Sequence, residues 1–401
     1  MATTRISRAA WPLAALLAAP LPAAALFNDR VEVFAAENVT YDSNVFRLSK
    51  DVDPTAAVGH DSRSDTISTT SLGANLDVPW SLQRFQASYT WFANRYHNFK
   101  ELDFDGHLAR AAWLWSVTPH LTGDVGYTDS LTLANFANRL AVSRNRDILH
   151  TKQGFANAVW FPVASWRIHG GVAEVDQRHD DPTESFADIQ STTGVAGVSY
   201  VTPADDRLGV EVREERGRSP HEEFREGPLD IGYRQTSAGV VAHWVATGHS
   251  LIDARTDWVK RDYDRPAFPD FSGPIFRVAH TWTPTGKLTI LSSIYRDIGP
   301  IADVQSGSLV LIKGVAVKPS WAATEKITIA GDAEYNVWDY KQDIVQGSYT
   351  HRVRTFGATV SYRPTTKILL QGGYTHEMRT STVPLADYKD DVASISARIS
   401  F

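Results

Sequence analysis

The sequence predicts an all-β protein: a single transmembrane antiparallel up-and-down β-barrel of about 18 strands over residues 26–401, behind an N-terminal signal peptide at residues 1–25. Three observations lead there. An aromatic-marked pattern returns about every 40 residues, extended runs alternate apolar and polar residues for ten or more positions, and tight turns alternate with long polar connections.

At the N-terminus, Arg5 and Arg8 precede an apolar run from Ala9 to Leu21 and then Ala23-Ala24-Ala25, the charged, hydrophobic and small-residue order of a secretory leader. Pro12, Pro20 and Pro22 interrupt the run, which makes it a poor permanent span. Beyond residue 25 no Ser/Gly-rich linker, charge block or apolar stretch of about 20 residues marks a domain boundary or a spanning helix. The chain has no cysteine, which removes disulfides, thiolate metal sites and cysteine nucleophiles. Its net charge of −6, about −8 without the two leader arginines, argues mildly against binding nucleic acid or acidic lipid surfaces.

The repeated pattern is an aromatic residue, a few residues of Pro, Thr, Ala or Gly, and a new alternating run, as in VPWSLQRF (Val78 to Phe85) and HTWTPTGKLTI (His280 to Ile290). The marking aromatics are Trp80, Trp115, Trp160, Tyr200, Trp244, Trp282, Trp321 and Tyr362. A fixed period means one repeated supersecondary unit. Within a unit the period is two: Ile327, Ile329, Gly331, Ala333, Tyr335 and Val337 share one face, and Thr328, Ala330, Asp332, Glu334 and Asn336 the other. Such strands are about twice the usual globular length and match what crosses a bilayer at a tilt. A propeller also repeats near 40 residues, but each blade needs four short strands rather than two long ones.

The long connections are Phe46 to Ser64, Ala134 to Asp147, Arg178 to Ala187, Gly217 to Leu229, Asp262 to Asp270, Ile298 to Ser306, Lys341 to Ser348 and Thr380 to Asp387. Tight turns on one side and long loops on the other are the asymmetry of outer-membrane barrels, short toward the periplasm and long toward the exterior. Hydrocarbon penalises every unpaired backbone group, so the first strand, near Arg30 to Tyr41, must pair with the last, Tyr388 to Phe401. The alternation Ala393, Ile395, Ala397, Ile399, Phe401 then faces outer-membrane lipid. Phe401 joins the eight marking aromatics in a membrane girdle, where an apolar ring with a polar edge suits the headgroup level. This terminus resembles the C-terminal aromatic signature of outer-membrane proteins, which implies the barrel-assembly machinery as a partner.

A barrel of this size is wide enough for a water-filled lumen. The inward candidates are Glu211, Arg213 and Glu215 on one strand, Asp253, Arg255, Asp257 and Arg261 on a second, and Asp332 and Glu334 on a third. Two readings stand side by side. Both signs of charge suit a path for polar, hydroxyl-rich solutes; equally, the charges can pair across strands and stiffen the wall. Catalytic residues and cofactors are not indicated. None of the 13 histidines sits in HExxH spacing, no GxSxG is present, and Asp103 to His107 and Arg178 to Asp181 lack the rest of a metal-binding pattern.

The segment NVTYDSNVFRLS (Asn38 to Ser49), then SDTI (Ser64 to Ile67), VPWSLQRFQASYTWFANRYHNF and LDFDGHLARAAWLWSVTPHLTG, resembles the EpsL family of outer-membrane proteins from exosortase-linked exopolysaccharide operons. FSGPIFRVAHTWTPTGKLTI (Phe271 to Ile290) is similar to a later segment of that family. The resemblance implies a non-enzymatic role in exopolysaccharide biosynthesis, with passage of the polymer through the outer membrane and help from periplasmic export components. It carries over no functional residue. A general or sugar-specific uptake porin would share every residue feature above, and a barrel-embedded hydrolase working through paired carboxylates is the third reading.

Overall fold

The structure, a computed structural model, describes residues 30–138, 144–220, 223–224, 227–228, 231–264, 270–299, 309–343 and 347–401. The expected leader at residues 1–25 lies outside them, as do the centres of four expected loops, at 139–143, 265–269, 300–308 and 344–346.

The strands in chain order are β1 (Val31–Asp42), β2 (Asp65–Trp80), β3 (Gln83–Tyr96), β4 (Phe104–Thr118), β5 (Leu121–Leu133), β6 (Ile148–Val163), β7 (Trp166–His179), β8 (Ile189–Val201), β9 (Arg207–Ser219), a two-residue hairpin of β10 (Glu223–Phe224) and β11 (Gly227–Pro228), then β12 (Ile231–Thr247), β13 (Ser250–Tyr263), β14 (Phe271–Thr285), β15 (Leu288–Ile298), β16 (Leu309–Ala322), β17 (Ile327–Asp343), β18 (Gly347–Tyr362), β19 (Ile368–Ser381) and β20 (Tyr388–Ser400). All except the hairpin belong to one 18-stranded sheet in which every neighbour is antiparallel. β1 pairs with β20 from Phe34↔Ser400 to Asp42↔Val392, and the Phe401 amide donates to the Val33 carbonyl at 2.8 Å. The sheet therefore has no free edge, as an acyl environment demands.

All eight expected tight turns are present, and the expected last strand begins at the residue where β20 begins. The long connections differ from expectation in number and in where they start, and Lys341, like Arg178, Asp262 and Thr380, still belongs to its strand. The segment between β3 and β4, residues 97–103, is a ninth long-side connection that the turn pattern does not reveal. Its geometry comes from a distance: the buried Asp65 carboxylate accepts the backbone N–H groups of His97 (3.0 Å), Asn98 (2.8 Å) and Phe99 (2.8 Å). The connection expected to start at Gly217 starts later, because β9 continues to Ser219 against Ile231 of β12.

Opposite residues in an antiparallel pair share a face, so the register assigns every side chain a side. Trp80, Trp115, Trp160, Tyr200, Trp244, Trp282, Trp321, Tyr362 and Phe401 all point outward at the tight-turn rim. Above them, on four of the strands, the outward face stays free of charge for the same length and then becomes ionic. Eight residues along the strand from Trp115, Trp160, Trp321 and Tyr362 stand His107, Lys152, Lys313 and Arg354. Eight residues of strand at a tilt of about 40° rise roughly 20 Å, close to the height of the apolar belt of such barrels. The strands, 11 to 17 residues long, thus continue past the hydrocarbon and end in a charged collar.

Ile329 is outward as expected, but it sits opposite girdle residue Trp321, at the edge of the belt rather than its centre. The midplane position on this side is Ala358, outward and paired with Gly331 and Tyr374, next to inward Thr359. Ala358→Arg is expected to destabilise the barrel by about 2–4 kcal/mol and Thr359→Arg by less than about 1 kcal/mol. Urea titration of both variants refolded into vesicles reads the difference, and equal losses would contradict the face assignment.

Candidate functional site: the barrel lumen

All nine lumen candidates face inward, on three strands: Glu211, Arg213 and Glu215 on β9, Asp253, Arg255, Asp257 and Arg261 on β13, and Asp332 and Glu334 on β17. The wall brings four of them into direct contact. Buried Glu211 meets Arg255 Nη1 at 2.8 Å through Oε1, Arg213 Nη2 at 3.1 Å through the same oxygen, and His169 Nε2 at 3.2 Å through Oε2. Asp257 holds the other side of Arg255, with its Nε at 2.5 Å. The alternation of β9 and β13 alone aligns these residues, because Glu211 and Asp257 both lie opposite Gly239 of β12. Gly239 carries no side chain, and a Cβ there would collide with the Thr256 carbonyl and the Asp257 carboxylate. The glycine leaves the gap through which the β13 guanidinium reaches the β9 carboxylate.

The remaining candidates have partners of their own. Glu215 accepts the Tyr233 hydroxyl, and Asp253 meets His243 Nδ1 at 2.7 Å. On β17, Lys318 Nζ lies 3.2 Å from Asp332 and 3.7 Å from Glu334, which also accepts the Tyr295 hydroxyl at 2.7 Å. Arg261 donates to Gln235 at 2.8 Å and stacks over the Tyr233 ring at 4.3 Å. Every one of these charges thus has a partner within the wall. On β9 and β13 this pairing leaves one face of the pairs toward a cavity of about 1040 Å³, lined by all seven candidates of these two strands together with Arg167, His169, Arg207 and Arg277. Asp332 and Glu334 lie outside that cavity's lining.

Halfway round the ring from β9 and β13 stand β20 and β2. Their inward residues, with those of β1, β18 and β19 beside them, are mostly hydroxyls, amides and glycines: Ser71, Asn75, Asn38, Thr359, Gln371 and Ser396 are examples. Charges on this side sit at the strand ends, Glu32, Asp77 and Arg398 toward the tight turns and Asp42, Asp65, Glu377, Arg379 and Asp390 toward the long loops, so its middle stretch is the neutral polar wall that faces the ionic one.

At the outer end the neutral side is roofed by the chain itself. The β1–β2 connection carries a short helix α1 (Pro54–Val58), started by the Asp53 carboxylate accepting the Thr55 N–H and closed by Gly59 at φ +76°. Val45, Phe46, Leu48 and Val58 from this connection bury themselves with Phe99, Leu102 and Phe136 against inward Tyr96. Phe46 makes edge contacts with Phe99 and Phe136 at ring-centre distances of 4.9 and 4.7 Å. Arg47 latches the connection to the inner wall, bridging Asp42 of β1 and Asp390 of β20 at 3.0 Å each. Burial opposes its charge, but the two carboxylates outweigh burial and hold its pKa above the ordinary arginine value. The β5–β6 connection reaches farther: the Ala137 carbonyl accepts from Arg379 of β19, six strands round the ring. Arg379 also donates to the Ala386 carbonyl at 2.8 Å, beside an inward cluster of Val310, Trp338 and the stacked rings of Tyr340 and Tyr349.

The alternation marked Arg167, His169, Arg207 and Arg277 as inward positions once their strands were in register, but no local motif distinguishes them. The roof has no signature of period two, and the apolar content of VFRL was its one trace. Among the described residues no group of three or more His, Asp or Glu is placed to hold a metal ion.

A family profile described as "Putative beta-barrel porin 2" matches residues 245–401. Among solved structures, OpdK of Pseudomonas aeruginosa, crystallised with vanillate, superposes with a TM-score of 0.52 at 10% identity, covering 93% of this chain and 99% of its own. OccK5 (OpdH) of the same organism gives 0.50 at 12% identity, and a BenF-like porin of Pseudomonas fluorescens Pf-5 gives 0.50 at 10%, with the same coverages. The fold is that of a porin-type outer-membrane barrel. No curated protein sequence matches the chain.

Two outcomes follow for the porin-type lumen. Glu211→Gln removes the carboxylate shared by Arg213 and Arg255, so single-channel reversal potentials in a salt gradient should move toward the chloride equilibrium potential; a shift toward the potassium value would reverse the charge assignment. Phe46→Ala deletes the centre of the roof core, a change that costs about 3–5 kcal/mol in a packed core, and should raise the open-channel conductance.

Proposed function

We propose that this chain is a passive, non-enzymatic channel admitting small hydrophilic solutes across the outer membrane. The observation that carries this reading is the shape of the lumen. Loops bridge the mouth over the neutral wall and leave a compartment of about 1040 Å³ along the ionic one. That volume is of the order of a small-molecule site, and its lining converges several charged and hydroxyl groups on whatever enters it, as binding of a small solute requires. OpdK, similar in fold, holds vanillate, a solute of that size class.

In this reading the ion pairs serve as exchangeable hydrogen-bond partners. A solute hydroxyl or carboxylate approaching the Glu211, Arg213 and Arg255 group can borrow a donor or acceptor without any charge being left bare in a narrow passage, which keeps binding weak enough for release. The side chains with the most room to do so are Asp253 and Arg213, whose heads are 55% and 39% exposed. Transport of this kind needs no cofactor.

Export of an exopolysaccharide is the second reading, favoured by the resemblance over Asn38 to Gly123 and Phe271 to Ile290. It requires the roof to swing clear, because Arg47 and Arg379 tie two connections across the mouth. Barrel-assembly factors acting on the Phe401 strand fit either reading, and periplasmic export components belong to the second.

Liposome swelling separates the two. The channel reading expects entry rates that fall steeply from mono- to trisaccharides and stay unchanged when polysaccharide is present. Negligible entry of every small sugar, combined with loss of secreted polymer when the gene is deleted, would replace uptake by export.

A further inference from the structure

We propose that Lys313, Arg352 and Arg354 form a site on the outside of the barrel for the phosphate of a phosphorylated glycolipid in the outer leaflet. The three side chains face away from the lumen. Lys313 of β16 lies opposite Val337 of β17, Val337 lies opposite Arg352 of β18, and Arg354 follows one outward position along, opposite Tyr335. Lys313 and Arg352 thus stand two strands apart, about 10 Å at their backbones, and their long side chains can converge over Val337 on one anion.

Their height selects the ligand. Lys313 is eight residues beyond girdle Trp321, and Arg354 is eight beyond girdle Tyr362, with Val315, Val317, Ala358, Phe356 and Tyr335 as exposed outward neighbours below. Cations at the upper edge of an apolar strip meet a lipid headgroup while the strip meets its acyl chains. A soluble anion would gain nothing from the strip.

The local charge is also unbalanced. Arg296 of β15 lies directly opposite Lys313, a like-charge placement that normally destabilises a sheet. Among the described residues Asp339 is the carboxylate nearest this group, accepting Lys313 Nζ at 2.8 Å and the Thr350 hydroxyl at 3.2 Å. Arg296 is occupied by the Pro274 carbonyl. Arg352 has no hydrogen-bond or ion-pair partner in the described wall, and Arg354 has only the Tyr335 ring, 5.8 Å away. Four other collar arginines are neutralised locally, Arg95 by Asp105 at 2.7 Å, Arg178 by Asp176 at 2.7 Å, and Arg216 and Arg234 by Glu214 at 2.9 Å each, and Arg218 is held by the Gln190 amide oxygen at 2.8 Å. Two bare guanidinium groups two residues apart match the bidentate preference of arginine for phosphate oxygens.

The test is a titration of the detergent-solubilised barrel with bisphosphorylated lipid A, with the same lipid after phosphatase treatment, and with inorganic phosphate, read by native mass spectrometry. Wild type should bind the phosphorylated lipid at least about tenfold more tightly than the dephosphorylated one. The Arg352→Gln/Arg354→Gln double variant should lose that margin, while Arg216→Gln/Arg234→Gln keeps it; heat-modifiable gel mobility confirms that each variant is folded. Equal binding of both lipids by wild type, which needs no variant, would overturn the proposal. So would undiminished binding by the first double variant, and displacement of the lipid by millimolar phosphate would reassign the site to a free anion.

Discussion

Everything in this molecule rests on the seam between β1 and β20. A β-sheet in hydrocarbon tolerates no row of bare amides and carbonyls, and the sheet escapes that penalty by returning to its own first strand. Eighteen strands closed in this way enclose a lumen too wide for side chains alone to fill. Closure also fixes which half of each strand meets lipid, because in a ring with a single register any slip by one residue would turn every apolar side chain inward.

The excess width is dealt with asymmetrically. On the β16–β20 and β1–β6 side, connections fold back and build apolar cores inside the outer mouth, held by Asp65, Arg47 and Arg379. On the β7–β15 side, space remains and the wall is lined with ion pairs. These two solutions need each other. Buried apolar loops supply the stability that a solvated charged wall lacks, since an exposed pair contributes little on its own. The charged wall in turn keeps the remaining passage wet.

The barrel was legible because its information is periodic. Alternation of period two gave the faces, so Glu211, Arg255 and Glu334 could be assigned inward and Trp115, Trp321 and Ile329 outward without any knowledge of contacts. Turn chemistry gave the tight rim. What could not be read depends on contacts far apart in the chain. The 97–103 connection is shaped by Asp65, more than thirty residues earlier, and resembles no turn type. The meeting of Arg255 with Glu211 needs the register of β12 and the missing side chain of Gly239 between them. Arg379 and Ala137 are separated by 242 positions and brought together only by the ring. The pairing state of each lumen charge followed from those tertiary facts, so the sequence left both solute path and wall strut open.

The shared height at which the outward apolar run ends on four of the strands has a meaning for the surrounding lipid. A belt of roughly 20 Å is short against the hydrocarbon of an ordinary bilayer, so annular acyl chains next to His107, Lys152, Lys313 and Arg354 must compress or tilt to avoid covering charge. Each ångström of such mismatch costs a fraction of a kcal/mol, and the cost vanishes in a thinner membrane. The position of four ionisable side chains therefore acts as a gauge of bilayer thickness, set at the thin end, where the outer membrane itself lies.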